Sequence, residues 1–492
     1  MDSQVRNRIA GVLLGQAVGD ALGVPYEFDS APIKAGRAEM LGGGLGHYRP
    51  GEWSDDTQMA MCIAEVARSS HGAALTSQSG LDQVAAWFLK WLNSGPGDMG
   101  VLTSRVLHPA SHQPETAGLA QRMSRIARQA AADGSAGNGG LMRTAIVGLS
   151  ALQDRQQTAR TASAICALTH AHQLCQESAV LWSEAVRVAV SEGRLDIRGG
   201  LELLEPASRP YWEDGIVQAE SQDPGTFRAN GFTVTALQAA WSSIHATRGM
   251  GADPARFVAT LQTAIGIGHD TDTVAAIAGG LLGAYFGASG IPANLARQLN
   301  GWPEHGGRPS GRRDLVRLAL ETAGSGWSQC GSLLASGSSR TVSRAVPHPE
   351  DPQVILGTED DLVRAKEIGV TAAVSLSRLG DPEIAASGLD PRLIAEVWLI
   401  DSDDRSKNAH LLWTLHDAAE TVKALRDEGH TVLLHCVAAE HRTPAVALAY
   451  SLLLGRPVAE ANGRIEQALN HPKQGLLWQT VYDSARPATP PP

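Results

Sequence analysis

Five cysteines in 492 residues, none in a Cys-x-x-Cys pair, give no disulfide framework. Cys62, Cys166, Cys175, Cys330 and Cys436 are scattered and odd in number. That usage suits a reducing compartment, so the expected location is cytoplasmic. Positive charge is also short: 41 Lys and Arg stand against 51 Asp and Glu, a formal net charge of −10. Nucleic acid and anionic membrane both call for a basic surface, so neither is an expected partner. A run of about 18 apolar residues free of charge is absent, which argues against a membrane span. The opening MDSQVRNRIAGVLLGQAVGDALG has an apolar stretch after two arginines, but Gln16, Gly19 and Asp20 interrupt it and no cleavage site is evident. No internal repeat is visible, and the sequence leaves the oligomeric state open.

The length is long for one core and predicts two or more domains. Up to residue 323 the chain is rich in Ala, Leu, Gln and Arg with helical apolar spacing, as in QRMSRIARQAAA (121–132) and ESAVLWSEAVRVAVSEG (177–193). Strand-like alternation is scarce there, so an all-α domain is expected over 1–323. Residues 324–352 are dominated by Gly, Ser and Pro and read as a linker. Beyond it, QVILG (353–357), VTAAVSL (370–376), EVWLI (396–400) and HTVLLHC (430–436) read as short buried strands alternating with helices. A small α/β domain is expected over 353–484, and a disordered tail over 485–492.

Two stretches put oxygen ligands at a helix entrance. In GEWSDDTQM (51–59) these are Ser54, Asp55 and Asp56; in GHDTDTVAAIAGGLLGAYFG (268–287) they are Asp270, Asp272 and Thr273. One such residue is accounted for by capping the orphan N–H groups. Several together suit a hard cation such as Mg2+, which takes carboxylates and hydroxyls. Between them, GNGGLMR (137–143) offers Asn138 and Gly139 in a loop that a ligand can approach closely, followed by Arg143, a partner for phosphate or carboxylate.

The order GVLLGQAVGDALG (11–23), WSDDTQM (53–59), GDMG (97–100), GNGGLMR (137–143), TH (169–170) and GHDTDTVAAIAGGLLGAYFG (268–287) resembles the ADP-ribosylglycohydrolase family, of the dinitrogenase-reductase-activating type. The resemblance implies a helical bundle with a binuclear Mg2+ centre, Mn2+ being a substitute. It puts metal ligands at Ser54, Asp55, Asp56, Asp270, Asp272 and Thr273, and catalytic carboxylates at Glu27 and Asp55. Substrate contacts are implied at Asp98, Gly100, Asn138, Gly139, Arg143 and His170. The implied reaction cleaves a ribosyl bond through an oxocarbenium-like transition state. The implied substrate is an ADP-ribosylated protein or a small ADP-ribosylated acceptor. The linkage, to arginine, serine or another group, is not written in the motifs.

The second half carries LLHCVAAEHRTPAVALAY (433–450), in which Cys436, five residues and Arg442 join a strand to a helix. Such a junction makes a phosphate cradle, with Arg442 gripping two oxygens. Its positive field favours the Cys436 thiolate as a nucleophile. Residues 353–484 resemble the dual-specificity and tyrosine phosphatase superfamily. That resemblance implies a general acid at Asp401, with Asp403 and Asp404 as rivals, and a role for Thr443 in steadying the leaving thiolate. Two residues depart from the pattern: Ala439 stands where glycine is usual, and Glu440 puts negative charge beside an anion cradle. The expectation is a bifunctional Mg-dependent ADP-ribosylglycohydrolase with a cysteine-phosphatase-like module. The alternatives are a non-catalytic reader of ADP-ribose and phosphate, and a hydrolase of another ribose glycoside.

Overall fold

The structure, a computed structural model, describes residues 2–33, 37–69, 72, 75, 77–113, 115–326 and 343–485. The chain divides into two compact units, Met1–Ile291 with Leu299–Trp327, and Pro292–Gln298 with Ser328–Pro492.

The first unit is helical. Its helices are α1 (Ser3–Gly23), α2 (Asp55–Arg68), α3 (Gln78–Asn93), α4 (Val101–Ser111), α5 (Leu119–Ala132) and α6 (Arg155–Cys166). There follow α7 (Gln173–Glu192), α8 (Arg209–Ser221), α9 (Thr233–Ala246), α10 (Ala255–Gly266) and α11 (Thr271–Phe286). The short segment α12 (Ala293–Gln298) belongs to the second unit, so the boundary expected near 323 is crossed once beforehand. The first unit is not purely α. An antiparallel hairpin, β1 (Asn300–His305) and β2 (Arg308–Gly311), precedes its last helix, α13 (Arg312–Thr322). The hairpin fixes the chain just before α2, because Asn300 O accepts from Trp53 N at 3.2 Å and Asn300 N donates to Gly51 O at 3.0 Å.

One helix–helix contact sets the frame of this unit. Gly11, Gly15, Gly19 and Gly23 lie four apart and share one face of α1. A Cβ on Gly11 would stand 2.1 Å from Gly283 O, and one on Gly15 would stand 2.3 Å from Gly279 O. One on Gly19 would meet Ala275 O at 2.1 Å, and one on Gly23 would meet the Asp272 Cα at 2.5 Å. The stripe therefore lets α1 and α11 run antiparallel with backbones nearly touching, and it brings the C-terminal end of α1 to the N-terminal end of α11. The segment Ser3–Asp29 has the length and composition of a membrane span, but its most apolar stretch is wholly buried inside the unit. It is the central core helix.

The second unit is built on β3 (Val346–His348), β4 (Asp351–Gly357), β5 (Ala372–Ser375), β6 (Ile394–Glu396) and β7 (Val432–His435), in the order β3-β4-β7-β5-β6. Among the described residues of this unit, only the β3–β4 pair is antiparallel. The segment expected as linker thus contains β3 and the first two residues of β4. Pro347 lies on this edge strand, where a missing N–H is tolerated and where composition alone looks like a loop. The middle of that segment, 327–342, and the tail, 486–492, lie outside the described residues. Side chains alternate across the central strand: Val432 and Leu434 enter one core, Leu433 the opposite one. The remaining helices are α14 (Glu359–Val363), α15 (Asp381–Ser387), α16 (Leu411–Asp427), α17 (Arg442–Leu453), α18 (Val458–Ala468) and α19 (Leu476–Ser484). Cys436 follows directly on the C-terminal end of β7, where open parallel sheets place their ligands.

Candidate functional site

The first site forms where α1, α2 and α11 converge. α2 is capped from outside. Asp20 on α1 accepts from Ser54 N and Ser54 Oγ, both at 2.8 Å, and from Thr57 N and Thr57 Oγ1 at 3.0 and 2.6 Å. Ser54 makes no side-chain cap of its own. Because Asp20 does this work, Asp55 and Asp56 are spared for the cleft. Asp20 is a functional residue that the sequence reading missed; its signal is a buried acid on a glycine-lined helix.

Asp56 faces α11, and its Oδ2 accepts from Thr273 Oγ1 at 3.2 Å, with Ser54 Oγ, whose shorter contact is to Asp20, at the same distance. Its Oδ1 is buried with no hydrogen-bond partner among the described residues. Asp270 Oδ2 accepts from Asn138 Nδ2 at 2.7 Å, so the glycine-rich loop holds this carboxylate in place. Asn230 supports both, accepting from Asp270 N at 3.1 Å while its carbonyl accepts from Asn138. Glu27 lies on the 3-10 turn Val24–Asp29 that follows α1. One carboxylate oxygen each from Glu27, Asp270 and Asp272 lie within 4.8 Å of one another. The loops carrying Glu27 and Asp270 are joined by Phe28 N donating to His269 O at 2.7 Å. Phe28, Asp29 and His269 all take positive φ (47°, 62° and 63°), a costly backbone for non-glycine residues and common at ligand clamps.

The crowding shows in the acidities. Burial first, then the charges of Asp270, Asp98, Asp55 and Asp20, push the Glu27 carboxyl up to about 9. Burial pushes Asp20 up to about 6 despite its hydrogen bonds. It also holds Asp55, Asp56 and Asp272 well above the usual carboxylate range, and raises Asp270. So many buried carboxylates cannot all ionise without a compensating cation. The donor set is all oxygen, and Asp56 Oδ1 is a buried acceptor without a donor. These features fit a hard divalent metal.

Asp98 is half-buried and acts on Glu27, Asp55 and Asp270 by charge. Gly100 is exposed at the start of α4. A Cβ on Gly139 would come within 2.9 Å of the His170 ring, so the glycine is needed for that packing. His170 is buried beneath the loop, with Nδ1 paired to Thr169 Oγ1 at 2.8 Å. Its ring packs against the backbone of the Asn138 loop at Gly139 and Gly140. Burial, then Arg143, holds its imidazole well below its usual range, so it is neutral.

Arg143 corrects the sequence expectation. Its guanidinium is fully buried, stacks 4.6 Å over Phe88, and donates to Thr169 Oγ1 and Met59 Sδ. Burial lowers it to about 10. It is a core cation behind the site, not a surface group for a substrate phosphate. Tyr48 is a second residue missed by sequence: its buried hydroxyl has no hydrogen-bond partner among the described residues, and Asp55, Asp20, Asp98 and Asp272 join burial in raising it.

The second site is the loop 436–441. Cys436 is buried at the end of β7, and Arg442 opens α17 with Nη1 donating to Leu376 O at 2.6 Å. Arg442 Nε and Thr443 Oγ1 are buried without hydrogen-bond partners among the described residues. Ala439 adopts φ 54°, the left-handed conformation that a glycine would take freely. Glu440 turns to Lys473 at 2.9 Å and Arg344 at 3.5 Å, and the Lys473 contact does most to hold its carboxyl below the usual range. Its charge is thus answered by two cations. Of the three rival acids, Asp403 accepts from Leu476 N at the start of α19, and Asp404 accepts from Ser406 N. Asp401 faces the loop, pairing with His441 at 2.9 Å and Arg442 at 3.5 Å.

The sequence model of ADP-ribosylglycohydrolases matches residues 1–330. The chain is 26% identical over 302 residues to the ADP-ribosyl-[dinitrogen reductase] glycohydrolase of Rhodospirillum rubrum, covering 60% of this chain and 91% of that protein. It is 26% identical over 327 residues to the ADP-ribosylarginine hydrolase Tri1 of Serratia proteamaculans, covering 61% and 80%. Among solved structures, an ADP-ribosylglycohydrolase-related protein complex aligns with TM-score 0.47 and 27% identity, over 65% of this chain and 99% of that one. Human DUSP28 aligns with 30% of this chain and 97% of its own, at TM-score 0.25 and 18% identity.

Proposed function

This chain belongs to the ADP-ribosylglycohydrolase family, and from that premise we propose that its first unit hydrolyses the bond between ADP-ribose and a protein side chain, arginine first. The observation that carries the reading is the convergence of Glu27, Asp270 and Asp272 within 4.8 Å, beside the buried Asp55–Asp56 pair. The arginine acceptor is taken from the name of the Serratia relative. Ser54, Asp55, Asp56, Asp270, Asp272 and Thr273 would hold Mg2+, and Glu27, whose carboxylate lies within 4.8 Å of those of Asp270 and Asp272, would stand beside it. Bound there, Mg2+ supplies Lewis-acid stabilisation and an activated water. The residues do the rest. Asn138 and Asn230 aim Asp270, Asp20 fixes the entrance of α2, and Glu27 or Asp55 moves the proton at the scissile bond. The exposed Gly100 and the Asn138–Gly139 backbone border the side from which ADP-ribose enters.

The second unit is proposed to cleave a phosphomonoester through Cys436, with Arg442 and the start of α17 receiving the phosphoryl group. The left-handed turn at Ala439 and the outward pairing of Glu440 support this, since both departures from the expected loop are absorbed.

The test of the first activity is release of free ADP-ribose from arginine- and serine-ADP-ribosylated proteins, in Mg2+ and in EDTA. Mg-dependent release from the arginine substrate, lost in Asp272→Ala, is expected. Release from neither substrate by the wild type would sink the proposal.

A further inference from the structure

One hydroxyl at the first site has nothing to bond. Tyr48 is 7% exposed, and its Oη is buried without a hydrogen-bond partner among the described residues. Its loop holds the ring still. Tyr48 N donates to Gly43 O at 2.8 Å, and Gly43 N donates back to Tyr48 O at 2.7 Å. A Cβ on Gly46 would stand 2.5 Å from Cζ of the ring and 2.9 Å from Oη, so the ring leans on the Gly46 backbone. The same loop touches both stretches that border the cleft. A Cβ on Gly44 would meet Val24 O at 2.5 Å, at the start of the turn that carries Glu27. One on Gly97, the residue before Asp98, would meet Gly46 O at 2.7 Å. The charges that reach the phenol come from four separate elements: Asp55 on α2, Asp20 on α1, Asp98 on its loop and Asp272 on α11. Burial first, then these carboxylates, hold the phenol above its ordinary range, so it keeps its proton and is a donor.

The donors beside these carboxylates are already spent. Ser54 Oγ and Thr57 Oγ1 go to Asp20, Thr273 Oγ1 to Asp56 and Asn138 Nδ2 to Asp270. A carboxylate can hold a sugar hydroxyl by accepting its proton, but it cannot donate to the hydroxyl oxygen. Tyr48 can, and its proton is unspent. We propose that Tyr48 is a substrate-positioning residue of the first unit, its Oη donating to a hydroxyl oxygen on the terminal ribose of ADP-ribose while that hydroxyl donates to Asp98. This rests on the reading of the unit as an ADP-ribosylglycohydrolase, and it adds to that reading a residue that senses whether the nucleotide ends in a sugar. An unpaired buried hydroxyl destabilises the free protein, and the bond it makes to the ligand removes that strain.

The experiment compares the full chain with its Tyr48→Phe variant by calorimetric titration. The ligands are ADP-ribose in excess Mg2+, ADP in excess Mg2+, which lacks the terminal ribose, and Mg2+ alone. Melting curves are taken in EDTA without nucleotide. Tyr48→Phe should bind ADP-ribose about 3–10-fold more weakly and should bind ADP and Mg2+ as the wild type does. Its melting temperature should equal that of the wild type or exceed it by up to about 3 °C, because a buried unpaired hydroxyl has been removed. A lower melting temperature, or failure to fold, would show that the hydroxyl serves the fold and would overturn the proposal. Unchanged affinity for ADP-ribose would do the same. Equal weakening of ADP-ribose and ADP would put the hydroxyl away from the terminal ribose, and weaker binding of Mg2+ alone would put it at the metal; either result overturns the assignment. A wild type that binds neither nucleotide is a separate outcome: it overturns the glycohydrolase reading itself, and this assignment with it.

Discussion

Asp20 Oδ1 accepts both the backbone N–H and the hydroxyl of Ser54, each at 2.8 Å, from a helix 34 residues earlier in the chain. A cap supplied by a different helix makes the position of Asp55 and Asp56 depend on α1 packing, not on α2 alone.

Asp20→Asn is therefore expected to act on metal binding as well as on stability. An amide offers one acceptor oxygen where the carboxylate offers two, so two charged hydrogen bonds are lost, about 2–4 kcal/mol together. A fall in melting temperature of about 5–10 °C should accompany Mg2+ affinity weaker by about tenfold. Calorimetric titration with Mg2+ checks this; affinity equal to wild type would confine Asp20 to a folding role.

The acidic cluster predicts a stability that depends on pH with a definite sign. Folded Glu27 keeps its proton up to about 9 and Asp20 up to about 6, both above the ordinary carboxylate range of the unfolded chain. In that window the folded state holds more protons, so stability falls as pH rises. The contribution is complete below the unfolded range and lost above about 9. Urea midpoints in EDTA should drop steadily between about pH 5 and pH 9, and saturating Mg2+ should flatten the drop. A flat profile in EDTA would contradict the crowding.

Gly15→Ala should be among the most damaging single-methyl changes in the chain. Its Cβ would stand 2.3 Å from Gly279 O, and two helix backbones would have to part. About 3 kcal/mol of lost stability is expected. Gly463→Ala on α18 is the control, because a Cβ there meets nothing within 4 Å, and a gain of about 0.5–1 kcal/mol is expected. Equal effects at the two sites in denaturant melts would refute the tight contact.

At Ala439 the left-handed backbone is held by a residue with a Cβ. Ala439→Gly should leave phosphoester hydrolysis intact and shift stability by no more than about 1 kcal/mol, relief of strain being offset by unfolded-chain entropy. Glu440→Gln removes two partly exposed ion pairs and should cost less than about 1 kcal/mol. A collapse of Cys436-dependent turnover in Ala439→Gly would mean the methyl group itself shapes the cradle.

Much of the first site was legible because its oxygen-bearing side chains sit in two short runs, Ser54–Asp56 and Asp270–Thr273, which the structure brings to one place. Asp20 was not, because an acid within an apolar helix carries no local sign of the four donors it will meet from α2. Arg143 misled for the opposite reason: a cation after a glycine loop looks solvent-exposed, and only packing reveals Phe88 and Thr169 around it. In the second unit the Cys436–Arg442 junction was visible as strand, loop and helix. Which of Asp401, Asp403 and Asp404 faced it depended on the α19 entrance, some 70 residues on, where Leu476 N claims Asp403. β3 escaped because a three-residue edge strand containing proline has the composition of a linker.

The pairing of α1 with α11 also has a consequence in time. A growing chain exposes the glycine stripe of α1 long before its mate exists, since Phe286 is added more than 260 residues after Gly23. At ordinary translation speeds this is a wait of about 15–50 s. During that interval the glycine face of α1, covered by α11 in the finished unit, stays open, and the ribosome-bound chain must be sheltered until the eleventh helix arrives.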